Sequence, residues 1–231
     1  MPSPRFLPSP TTSGRQLNYL QAIREAQFEE MTRDERVILM GEDITSNMFG
    51  TTDGFTEAFG AQRVRNTPIS ENIIVGAAAG AAMTGLRPIA DLTIANFIYL
   101  AMDQFVNQVA KNRFMSAGQA SLPVVYRAVL FYAGSNGAQH SDRPYPMFMG
   151  VPGLKVIAPT TPYDIKGMLK AAVRSDDPVI CFEDSTLWME KGEVPEEDYV
   201  VPLDRAAIRQ PGDDVTVVAV AGAIRPTLAA A

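Results

Sequence analysis

The chain has 231 residues, 46% hydrophobic and 20% charged, which is enough apolar material for a real core and too much for a disordered protein. Twenty Lys and Arg against 26 Asp and Glu leave a formal charge of −6, arguing against a broad nucleic-acid-binding face. A single histidine and a single cysteine, His140 and Cys181, exclude two-histidine metal sites, Cys-x-x-Cys sites and internal disulfides. No GxSxG elbow supports a serine hydrolase. The longest apolar stretches, Ile73 to Met83 and Val215 to Ile224, fall short of the ~20 residues of a membrane span. With no secretory pattern at the start, a soluble cytoplasmic protein is expected. At about 150 residues per domain, the length corresponds to roughly one and a half domains.

Met1 to Gly14 contains four prolines and reads as a Pro/Ser-rich arm. From Arg15 the pattern turns helical, followed by a short buried strand at Val37 to Met40 and the tripeptide Gly41-Glu42-Asp43. Asn72 to Gly85 is a Gly/Ala-rich helix in which Gly76 and Gly80 allow close approach of a neighbouring backbone. Pro88 to Ile94 predicts a strand, Met102 to Met115 a helix, and Val124 to Tyr126 another strand. Leu130 to Pro146 has no periodicity and is expected to be a long functional loop. A strand at Leu154 to Ile157, a helix from Thr161-Pro162 to Arg174 and a strand at Val179 to Phe182 follow. Glu193 to Leu203 is an acidic connector, and Asp214 to Val220 predicts a last strand. Alternating strands and helices imply an α/β fold: three layers, with a mostly parallel sheet covered on both faces.

Three side chains are candidates for chemistry. Glu71, in Thr67-Pro68-Ile69-Ser70-Glu71, is either a first-turn acid favoured by the helix dipole or a desolvated carboxyl able to share a proton. His140, in Gly137-Ala138-Gln139-His140-Ser141, is either solvated or an acid-base group beside small neighbours. Phe97 by itself reads as core. Gly41-Glu42-Asp43 has the position of a ligand loop but lacks GxGxxG, and the Walker pattern is missing.

Taken in order, the runs MGEDI (40–44), RVRNTPISE (63–71), GAAAGAAMTGLRPIADL (76–92), MDQFVNQVAKNRFMS (102–116), AQHS (138–141), PGLKVIAPTTPYDIKGMLKAAVRSDDPVICFE (152–183) and DDVTVVA (213–219) resemble the beta subunit of the thiamine-diphosphate-dependent 2-oxo-acid dehydrogenases. This is the decarboxylating component of the pyruvate, branched-chain and acetoin dehydrogenase complexes. The resemblance implies a transketolase-like pyrimidine-binding domain over residues 15–203, with 204–231 as linker and first strand of a truncated or split C-terminal domain. It implies that Glu71 hydrogen-bonds the aminopyrimidine ring of thiamine diphosphate, that Phe97 packs on that ring with Ile69 lining the same pocket, and that His140 stands near the reacting carbon as an acid in acyl transfer.

The family's Gly-Asp-Gly diphosphate and magnesium motif belongs to the alpha subunit and is not found here. The resemblance therefore implies no metal ligands in this chain, magnesium held mainly by an alpha-type partner, an α2β2 assembly with a shared active site, and a chain inactive alone. A lipoyl domain of an acyltransferase is the implied acceptor, and a separate chain carrying the C-terminal domain a further possible partner. The loop departs from the family at Phe131-Tyr132 and at Asp142 to Pro146, which leaves two alternatives open. One is a split transketolase-like carboligase that forms an acyloin with an aldehyde acceptor; the other is a noncatalytic assembly subunit. No nucleic acid or membrane partner is expected.

Overall fold

The computed structural model describes residues 14–134 and 136–231, so all of the predicted arm except Gly14 lies outside the described residues. The chain begins with β1 (Gln16–Asn18) and α1 (Tyr19–Arg33), then β2 (Val37–Gly41), the short α2 (Phe55–Phe59), β3 (Val64–Asn66) and α3 (Glu71–Met83). After β4 (Arg87–Ile94) come a 3₁₀ segment at Ala95–Ala101, a π-helical segment at Gln104–Val109, α4 (Asn112–Met115) and β5 (Val125–Leu130). A 3₁₀ turn at Ala138–His140, α5 (Tyr145–Met149), β6 (Lys155–Ile157), α6 (Pro162–Arg174), β7 (Val179–Asp184), β8 (Lys191–Glu193) and α7 (Ile224–Ala230) complete it.

Six strands form one all-parallel sheet in the order β3-β2-β4-β5-β7-β6, while β1 and β8 make a small antiparallel ribbon. The three-layer expectation holds. Side-chain alternation along β5 divides the two cores: Tyr126, Ala128 and Leu130 face the layer of α3 and Phe105, whereas Val125 faces α1 and α6. Strands buried on both faces account for the unbroken apolar runs VILM and VIC.

Helices α1 and α6 meet along a ladder of ions. Lys166 pairs with Glu25 and with Glu29 at 2.8 Å, Lys170 pairs with Glu29 and with Asp198 at 2.5 Å, and Arg174 reaches Glu30 at 2.6 Å. The spacing of four residues along α6 places all three cations on one face. Both lysine side chains are fully buried, so each must keep its carboxylate partner.

A second buried network crosses the sheet itself. Arg127 on β5 donates to Glu183 of β7 at 2.6 and 2.9 Å, to Asp91 of β4 at 3.1 Å and to Gln27 of α1 at 2.8 Å. Desolvation favours loss of its charge, but Glu183 and Asp91 outweigh that and hold the guanidinium well above its ordinary value.

Three local expectations change. The predicted helix from 102 to 115 contains a π turn, because the Ala110 amide donates to Phe105 O at 2.9 Å and the burial of Phe105 and Val109 keeps that register. Gly76 does admit a close neighbour, but it is the Gln104 side chain rather than a backbone, and nothing described packs on Gly80. Residues 214–220 do not form the predicted strand: no described strand lies alongside, and Val215, Val217 and Val218 are 76%, 62% and 84% exposed. A β-branched run becomes a strand only where a neighbour takes up its hydrogen bonds.

Beyond that run, Ala221 returns to the core and the Gly222 amide donates to Asp184 Oδ2 at 2.7 Å. Asp184 is fully buried and also accepts from Tyr132 Oη at 3.0 Å, the Thr186 amide at 3.0 Å and the Thr186 hydroxyl at 2.7 Å. Asp184→Ala should strand these donors and cost roughly 2–3 kcal/mol. The expected result is lower urea stability and faster amide exchange across 221–230, with α1 and α6 unchanged.

Candidate active site

The loops that could carry chemistry leave the C-terminal ends of the parallel strands, the edge at which such sheets expose backbone and polar side chains to ligands. Strand β2 ends at Gly41, where an added Cβ would lie 2.4 Å from the Asp91 carbonyl oxygen, so only glycine lets β2 and β4 approach this closely. Glu42 follows directly. The Thr67 amide donates to Gly41 O at 2.9 Å and brings the segment leading to α3 beside the end of β2.

Glu71 is the first residue of α3, and Ser70 before it supplies no side-chain cap. Glu71 as a whole is only 6% exposed, and its carboxyl makes no hydrogen bond to any described residue. Nearby, Glu42 Oε1 and Thr67 Oγ1 are buried and likewise lack a partner. Burial pushes the Glu42 carboxyl up from its ordinary value, reinforced by the charges of Glu71, Asp43 and Asp91. Two buried acceptor atoms without donors, Glu42 Oε1 and Thr67 Oγ1, close to the start of one helix are unusual, since buried polar atoms are nearly always satisfied. A ligand edge presenting N–H groups would satisfy them.

Phe97 and His140 form a second cluster. Their rings meet edge to face, with centroids 5.2 Å apart and an interplanar angle of 80°. Phe97 lies on the 3₁₀ segment after β4, and α3 packs against that same segment, so one rigid corner carries both Phe97 and the Glu71 helix. Ile69 is 81% exposed. Two clefts, of about 420 Å³ beside Tyr132 and Arg225 and of about 740 Å³ beside Lys155 and Leu203, lie away from Glu71 and His140. Among the described residues no group of three or more His, Cys, Asp or Glu side chains is arranged to hold a metal ion. No helix among them is long and apolar enough to cross a membrane. Cys181 is buried, and desolvation raises its thiol well above the ordinary value, so it is core rather than nucleophile.

The sequence pattern singles out Glu71, Phe97 and His140, includes Glu42 only within the Gly41-Glu42-Asp43 ligand-loop tripeptide, and passes over Asn96. Glu42 had a usable signal, an acid directly after a buried strand. Asn96 had none beyond its place next to Phe97.

Residues 15–189 match the family model described as transketolase, pyrimidine binding domain, and the chain belongs to that family. Among its relatives is the 2-oxoisovalerate dehydrogenase subunit beta of Bacillus subtilis (strain 168), 45% identical over 206 residues that cover 87% of this chain and 63% of the relative. The acetoin:2,6-dichlorophenolindophenol oxidoreductase subunit beta of the same organism is 42% identical, over 94% of this chain and 68% of its own length. The pyruvate dehydrogenase E1 component subunit beta of Rhizobium meliloti (strain 1021) is 40% identical over 94% and 48%. The chain thus spans about half to two thirds of these relatives. Solved structures agree on the fold: a transketolase from Pichia stipitis gives a TM-score of 0.63 at 16% identity, over 80% of this chain and 28% of that one. A split-gene transketolase in an inactive beta4 tetramer gives 0.59 at 20% identity, over 73% and 51%.

Because burial raises the Glu42 carboxyl, the folded chain keeps that proton to higher pH than the unfolded chain does. Its contribution is therefore most favourable below the ordinary carboxyl range and declines as pH rises. Glu42→Gln should remove this dependence, so that the variant is more stable than the parent at pH 8 and equal to it at pH 4 in urea unfolding of the ligand-free chain.

Proposed function

We propose that this chain is the beta-type subunit of a thiamine-diphosphate enzyme that decarboxylates a 2-oxo acid and hands the acyl group to a lipoyl acceptor. The observation that carries the reading is the nearly buried Glu71 at the start of α3, beside the buried, unpartnered Glu42 Oε1 and Thr67 Oγ1, in a chain of the pyrimidine-binding family. Those side chains fit the edge of an aminopyrimidine, which offers the N–H groups they lack. The printed functions of the beta-subunit relatives support the reaction class.

In this reading the Glu71 carboxyl would donate its proton in a hydrogen bond to a ring nitrogen of the pyrimidine and take that proton back. Glu71 is 6% exposed, and burial, reinforced by its charge, raises the neighbouring Glu42 carboxyl. Phe97 covers the ring face, Ile69 lines the open side, and His140 donates a proton during acyl transfer. When bound, thiamine diphosphate supplies the carbon nucleophile and the electron sink. Its diphosphate and magnesium fall to an alpha-type partner, so the active site forms between subunits of an α2β2 assembly and the chain is inactive alone. Residues 15–203 form the pyrimidine-binding domain in this assignment. Residues 204–231 open the region by which the longer relatives extend, whether it is carried on this chain or on another.

The test is carbon dioxide release from pyruvate and branched 2-oxo acids by this chain and an alpha-type partner. Release should require both chains, thiamine diphosphate and magnesium, and full release by this chain alone would refute the shared site. Glu71→Gln should lower release by about 10²-fold or more with assembly intact. Unchanged turnover would remove Glu71 from its role.

A further inference from the structure

From Phe131 to Arg143 no described residue is buried, so the His140 turn lies outside the apolar core. Most of the turn's own hydrogen bonds are internal. The His140 amide donates to Gly137 O at 3.2 Å, the Ser141 amide to Ala138 O at 3.3 Å, and the Ser141 hydroxyl to Gly137 O at 2.8 Å. Such bonds give the turn its shape but not its place on the protein.

Its place comes from Asn96, which is 8% exposed at the start of the 3₁₀ segment after β4. Asn96 Nδ2 donates to Ala138 O at 3.4 Å, and Asn96 Oδ1 accepts from the Asp142 amide at 3.0 Å. One side chain thus grips the loop two residues before and two residues after His140. The carboxamide suits this task because it offers a donor and an acceptor in one rigid plane, which neither aspartate nor serine reproduces at that reach. The next residue, Phe97, meets the imidazole edge to face, and Tyr99 Oη donates to Asp142 Oδ2 at 3.3 Å.

The corner that carries Asn96 is itself held rigidly. Thr93 lies at φ +57°, a conformation β-branched residues rarely adopt, where β4 shifts register against β5 between Asp91 and Ile94. Its amide donates to Asp91 Oδ1 at 2.9 Å, and Asp91 accepts in turn from the buried Arg127. A strained, hydrogen-bonded bulge of this kind re-aims the residues that follow it.

We infer that Asn96 is a positioning residue that fixes the His140 turn against Phe97. The consequence for acyl transfer rests on the acid role proposed above for His140; the placement of the ring does not.

Because the chain has one histidine and 11 phenylalanines, selective labelling makes the imidazole a single reporter. In the full 231-residue chain labelled at His and Phe, NMR should show an Overhauser contact between the His140 and Phe97 rings. Phe97→Leu should abolish the contact and so assign it. In Asn96→Ala with unchanged circular dichroism, it should fall about threefold or more and the imidazole line should move toward the position of a free loop histidine, since the turn loses both bonds to the Asn96 carboxamide. Asn96→Asp keeps the acceptor and loses the donor, and should give an intermediate loss. Wild-type contact intensity in a folded Asn96→Ala would overturn the inference; if that variant does not fold, wild-type intensity in Asn96→Asp would do so. In the two-chain enzyme, Asn96→Ala should slow acylation of a lipoyl domain by about tenfold with KM for the 2-oxo acid unchanged. A lost contact with unchanged acyl transfer would keep Asn96 as the positioning residue and remove His140 from the chemistry.

Discussion

The guanidinium of Arg127 is the interaction on which the rest of the structure depends. It lies 2% exposed in the middle of a parallel sheet, between carboxylates on the strands to either side and the carboxamide of Gln27 on the covering helix. Burying one cation among two acids is expensive, and a well-packed apolar set would serve stability as well or better. What the ions provide instead is register, because the bidentate contact to Glu183 and the contact to Asp91 are met only when β4, β5 and β7 are aligned as they are. The loops at the C-terminal ends of those strands inherit that alignment.

From this base the functional corner is assembled through hydrogen bonds rather than apolar packing. Asp91 joins Arg127 to the Thr93 bulge, the bulge leads into Asn96 and Phe97, and those two residues meet the His140 loop. On the other side of β4, the close approach at Gly41 sets Glu42 beside Glu71. Both clusters therefore take their positions from one strand. Beside Glu71, the buried Glu42 Oε1 and Thr67 Oγ1 have no partner among the described residues, and Ile69 is exposed.

Much of the scaffold was legible because its signals are local. The runs at β5 and β7, and the Thr-Pro start of α6 with Thr161 capping the Asp164 amide, follow from β-branching and capping chemistry. Elements that depend on a distant partner were not legible. The β1–β8 ribbon joins residues about 175 positions apart, and the π turn at Phe105 answers to core packing rather than to propensity. The valine run at 214–220 had every local feature of a strand and lacks only the neighbour that would make it one.

The site divides in the same way. Residue types and their order were enough to single out Glu71, Phe97 and His140 and to place them in a family, because a carboxyl before a Gly/Ala helix and a histidine in an aperiodic loop are visible along the chain. Only the tertiary structure decided that Glu71 faces Glu42 without a donor, that Phe97 touches His140, and that Asn96 grips the loop between them. The physical reason is that burial, missing hydrogen-bond partners and strain at a bulge are properties of groups brought together from distant parts of the chain, and no single stretch of sequence contains them.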